Sequence, residues 1–81
     1  MKKELNGSHN RRKTPARIAF GKSVRIKRIS LQITQEELAE RADLHTTYLS
    51  SVERGERNIA LENIISIAKG LGCSAKDLMP D

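Results

Sequence analysis

The sequence predicts an all-α domain of four or five short helices, on three observations. Apolar residues recur at three- and four-residue spacing, and nowhere do they alternate as in a strand. Capping residues, Thr34 and Ser74, stand ahead of periodic stretches. Glycines, Gly55 and Gly72, stand behind others.

Pro15 suits a first helical turn, where a missing N–H costs nothing. Phe20, Val24 and Leu31 then share one face, so the first helix is expected over Pro15–Leu31. Arg28 lies on the same stripe, and a cation there needs a carboxylate partner. Thr34-Gln35-Glu36-Glu37 reads as a capping box opening a short helix with Leu38, Ala39 and Ala42 inward. A break falls at Asp43-Leu44-His45. A third helix follows over Thr46 to Arg54, with Leu49, Val52 and Glu53 inward, and Gly55 ends it. Beyond the Glu56-Arg57-Asn58 loop, Leu61, Ile64, Ile65, Ala68 and Leu71 mark a fourth helix, with Ile67 off that stripe. Ser74 and Asp77 open a last short turn through Leu78 and Met79.

Residues 1–14 are polar and basic with only Leu5 to bury, and read as a flexible arm ahead of a domain over 15–81. A chain of 81 residues has room for one such domain. No apolar run approaches the roughly 18–20 residues of a membrane span, and no apolar leader opens the chain. Cys73 is the only cysteine, which excludes an internal disulfide and a multi-cysteine zinc site. These features point to the cytoplasm, away from any membrane.

Charge is unevenly spread. Residues 1–30 carry ten Lys/Arg against Glu4, a balance of +9, whereas residues 31–81 carry −4. That asymmetry fits a polyanion met from one side. It fits a solvated tail equally well, so the motifs must decide.

Two short helices around a three-residue break form an αα-corner. Ala39 is small where the helices must cross, and Leu44 can plug the turn. Thr46, Thr47, Ser50 and Ser51 put hydroxyls on the outer face of the second helix, where solvated helices usually carry Glu and Lys. A face free of acids is what a groove lined by phosphates requires.

Phe20-Gly21, Val24-Arg25, Arg28, Thr34 through Ala39, Leu44, Tyr48-Leu49-Ser50, Val52 through Gly55 and Ile67 through Leu71 resemble the phage repressor/Cro (XRE) family. The resemblance covers about Phe20 to Leu78. Thr47 to Ser50, followed by Glu53-Arg54-Gly55-Glu56-Arg57-Asn58, is especially similar to the controller proteins of restriction–modification systems. The resemblance implies a compact five-helix, lambda-repressor-like domain using a helix-turn-helix at about residues 35–54. It implies a sequence-specific regulator of transcription, of the repressor or controller type, on double-stranded DNA. Matched position by position, His45, Thr46, Thr47, Ser50 and Ser51 take the base-reading places. Gln35, Arg54, Arg57 and Asn58 take the backbone-gripping places. Tyr48 is a backbone or base contact or a half-buried packing ring, and both readings stand. Arg28 and Glu53 match an internal ion pair, which supplies the partner Arg28 needs.

Four positions depart from the family pattern. Asp43 and Gln32 stand where glycine is usual, Lys27 stands at a more often apolar position, and Thr46 replaces an arginine typical of controller proteins. The last bears on which sequence is read.

The small core and the apolar surplus of the fourth helix predict a homodimer through Ile64, Ile67, Leu78 and Met79. Such a dimer would demand a palindromic operator, with recognition helices about 34 Å apart. No nucleophile, phosphate loop or metal set accompanies Glu36, Glu37 and Glu40, so no enzyme, cofactor, metal or small-molecule ligand is expected. His45 has no nearby partner ligand, because His9 lies in the arm, and Cys73 reads as a small packing residue. The rival readings are an antitoxin that also caps a toxin, and a protein-bridging domain on the same fold.

Overall fold

The computed structural model describes residues 12–80. It holds four α-helices, α1 (Pro15–Ser30), α2 (Gln35–Ala42), α3 (Thr46–Glu53) and α4 (Leu61–Leu71), then a 3-10 turn at Ala75–Leu78. The described residues contain no strand. The final element is thus one short 3-10 turn where a fifth helix was expected. Most of the arm assigned to residues 1–14 lies outside the described residues. Thr14, however, belongs to the fold: its side chain accepts the Arg17 amide at 3.2 Å and caps α1.

The capping box is as read. Thr34 Oγ1 accepts from the Glu37 amide at 3.0 Å, and Glu37 Oε1 accepts from the Thr34 amide at 2.7 Å. At the last turn the Asp77 carboxylate accepts from the Ser74 amide and hydroxyl. Those bonds hold its pKa below the usual carboxylate value.

Each α-helix ends in one device, a residue in the left-handed region followed by a reversed pair of amide bonds. Gln32 N–H donates to Ile29 O and Ile33 N–H to Arg28 O; Asp43 N–H donates to Glu40 O and Leu44 N–H to Ala39 O. Gly55 and Gly72 do the same for α3 and α4. Glycine takes that conformation freely, but Gln32 at φ 59° and Asp43 at φ 56° carry a Cβ into it. Gln32→Gly and Asp43→Gly are each expected to raise stability by up to about 1 kcal/mol in denaturant melts. Gln32 should gain more, because Asp tolerates this region better.

The core gathers Phe20 and Val24 from α1, Leu38, Ala39 and Ala42 from α2, and Leu49 and Val52 from α3. Ile64, Ile67, Ala68 and Leu71 of α4 join them, with Ile33 and Leu78. Leu44 packs against this core from the turn, as the corner requires. Two stripes differ from the sequence reading. Leu31 caps α1 and is 41% exposed, because the chain turns away at Gln32. On α4 the buried face runs through Ile67, fully buried, while Leu61 and Ile65 stay out in solvent. The helix is rotated this way because Gly70 faces α2, where an added Cβ would sit 3.0 Å from Leu38 Cδ1.

A second close approach fixes the recognition helix. A Cβ on Gly21 would fall on the Val52 carbonyl oxygen and 2.8 Å from that of Glu53. The backbones of α1 and α3 therefore touch where only glycine fits.

Candidate nucleic-acid interface

The corner formed by α2 and α3 is anchored by an ion pair across the domain. Arg28 Nε donates to Glu53 Oε2 at 2.7 Å and Nη2 to Oε1 at 3.0 Å, and Nη1 donates to the Ile33 carbonyl at 2.9 Å. The two side chains are 10% and 2% exposed. The bonds it donates to Glu53 hold the Arg28 pKa above its ordinary value, against the opposing effect of burial. Gln35 Nε2 donates to the same Glu53 Oε1 at 3.0 Å. Thus α1, the start of α2 and the end of α3 share one carboxylate. This is the partner the sequence required for Arg28.

Burying Glu53 also removes the only acid of α3 from its surface. The outer face presents Thr47 and His45, both exposed, with Thr46 and Ser50 half-buried. Thr46 and Ser50 are one turn apart, as are Thr47 and Ser50, so the three hydroxyls share a face.

Ser51 does not belong to that face. It is 1% exposed; its hydroxyl donates to the Tyr48 carbonyl at 2.6 Å and accepts from Arg57 Nε at 2.8 Å. The residue read as a base contact instead positions a cation. Arg57 in turn lies over the Tyr48 ring, 5.3 Å from its centroid. Tyr48 is half-buried against the core, and its hydroxyl accepts from Asn63 Nδ2 at 3.1 Å, so the ring is a packing element. Its hydroxyl hydrogen remains for an external acceptor.

Arg54 is forked on Glu56, with Nε to Oε2 at 3.0 Å and Nη2 to Oε1 at 3.2 Å, and its Nη1 donates to Ser50 Oγ at 2.7 Å. Its bonds to Glu56 raise its pKa. Nothing in the sequence reading linked Arg54 to Glu56 or Ser50, although a spacing of two past a helix end made the contact possible. Asn58 is exposed beside this loop. Arg25, missed as a neighbour of the ion pair, brings Nη1 to 3.9 Å from Glu53 Oε1 and is 58% exposed.

The dimer residues divide. Ile67 at 0%, Leu78 at 2% and Ile64 at 9% exposure fill the chain's own core, and Met79 at 48% is exposed. A fully buried side chain cannot meet a second copy, so Ile67 and Leu78 leave the expected interface.

Among the described residues no group of His, Cys, Asp or Glu could hold a metal, and no helix is long and apolar enough to cross a membrane.

Two short helices crossing at a plugged turn, the second presenting an acid-free outer face, define a helix-turn-helix domain. A helix-turn-helix family model matches residues 24–78. The control protein C.BamHI of Bacillus amyloliquefaciens is 50% identical over 64 residues, covering 78% of this chain and 79% of the relative. C.SmaI of Serratia marcescens is 45% identical over 60 residues, 74% of this chain and 71% of the relative. The crystal structure of the restriction–modification controller protein C.AhdI from Aeromonas hydrophila superposes with a TM-score of 0.76 at 35% identity. That match covers 78% of this chain and 96% of the other. The chain belongs to the XRE-type helix-turn-helix family and is a DNA-binding transcriptional regulator.

Proposed function

We propose that the protein regulates transcription as a controller-type repressor, occupying a palindromic operator as a homodimer and performing no chemistry. The acid-free outer face of α3, made so by the burial of Glu53, carries this reading. In it, α3 enters the major groove with His45, Thr46, Thr47 and Ser50 toward base edges. Gln35, Arg57 and Asn58 hold phosphates, with the Tyr48 hydroxyl able to donate to one. Similarity to control proteins supports the controller role. Leu61, Ile65 and Met79, the exposed apolar residues of α4 and the C-terminal segment, are the surface available to a second copy. Two chains should therefore sediment with each duplex.

Two variants separate the proposed roles. Thr47→Ala should change which duplexes are selected from a random pool and leave the salt slope alone. Arg57→Ala should weaken all sequences about equally and lower the slope by about one. An exchange of these two signatures would show that α3 is not the reading face.

A further inference from the structure

The outer face of α3 carries a hydroxyl whose hydrogen-bonding direction is set by the protein. Ser50 Oγ accepts from Arg54 Nη1 at 2.7 Å. Glu56 holds that guanidinium from its other edge through two bonds, at 3.0 and 3.2 Å. Among the described residues, the hydrogen of Ser50 itself has no acceptor, whereas neighbouring Ser51 donates its own to the Tyr48 carbonyl. A hydroxyl has one hydrogen and two lone pairs. A cationic donor on one lone pair draws electron density from the oxygen, which weakens it as an acceptor and strengthens its O–H as a donor. Thr47, on the same face, has no such partner among the described residues and can bond in either direction.

We propose that Ser50 determines specificity by donating to a base acceptor, and that Arg54 and Glu56 are the positioning pair that fix it as a donor. The proposal rests on α3 entering the major groove as described above. The acceptors there are guanine N7 and O6, adenine N7 and thymine O4; adenine N6 and cytosine N4 are donors. Ser50 therefore discriminates against an amino group opposite it. Arg54 acts through Ser50, and not as one more uniform phosphate contact.

The test uses the full chain and a duplex that the wild-type protein selects from a random pool. Each purine in turn is replaced by its 7-deaza analogue, each guanine also by 2-aminopurine, which lacks O6, and each thymine by a pyrimidinone lacking O4. One position per half-site should weaken wild-type binding roughly three- to tenfold, the effect of one lost hydrogen bond. Ser50→Ala should be indifferent to the analogue at that position. Arg54→Ala should relax the position to accept amino-bearing bases, Arg54→Lys should restore the preference, and all three variants should melt as wild type does. The proposal is overturned if Arg54→Ala weakens every sequence equally with base preference intact, or if no analogue penalty disappears in Ser50→Ala. A wild-type chain that binds no duplex in a salt-dependent way would overturn the DNA reading as well.

Discussion

Replacing Glu53 by alanine is expected to lower stability by about 3–5 kcal/mol, the usual result of stranding one partner of a buried ion pair. The deletion leaves Arg28 in a site only 10% exposed, and it also removes the acceptor of Gln35. A domain of 81 residues has a total stability of about 4–12 kcal/mol, so the loss takes from about a quarter of the margin to all of it. DNA binding should then fall in step with the folded fraction. Urea denaturation followed by circular dichroism measures the loss directly. The double variant Arg28→Met/Glu53→Leu should cost less than the two single replacements combined, because it leaves no stranded charge. A Glu53→Ala chain that melts like wild type would mean that the pair contributes nothing to folding.

Gly21→Ala should also be severe, although alanine is the better helix former by about 1 kcal/mol. The new methyl would overlap the carbonyl oxygens of Val52 and Glu53, which are backbone and cannot rotate away. Overpacking of this kind costs about 1–3 kcal/mol, and here it pushes α3 off α1. The expected result is a lower melting temperature together with weaker DNA binding in whatever fraction remains folded. Gly72→Ala gives a contrast: a Cβ there meets nothing within 4 Å, and its cost is confined to the left-handed φ of 72°. If Gly21→Ala proves the more stable variant, the two helices are not in backbone contact.

How far the sequence could be read depended on how local the cause was. The capping box at Thr34 and the glycine stop at Gly55 were legible because each is set within a few residues. That Arg28 needs a carboxylate was legible because a cation on an apolar stripe demands a counterion, and the family resemblance singled out Glu53 as that partner. The rotation of α4 was not legible. Its apolar residues form two overlapping stripes, and only the packing of Gly70 on α2 selects the one containing Ile67. Ser50 and Ser51 look alike in the sequence, yet a single residue step around the helix separates a hydroxyl at the surface from one buried beneath Arg57. The left-handed conformation of Gln32 was marked by its departure from the family's glycine, and Gly21 was quoted in the resemblance without its packing role being visible.

The most direct test of the central claim is an equilibrium titration of the wild-type chain with its selected duplex and a scrambled duplex of the same composition, across a range of salt. Binding to both should weaken linearly in log salt, as phosphate contacts release counterions. The selected duplex should stay tighter by a factor of about 10³ or more, since base reading adds to the salt-dependent part. Equal affinities at every salt concentration would contradict sequence-specific reading by α3, and the absence of any salt slope would contradict DNA binding itself.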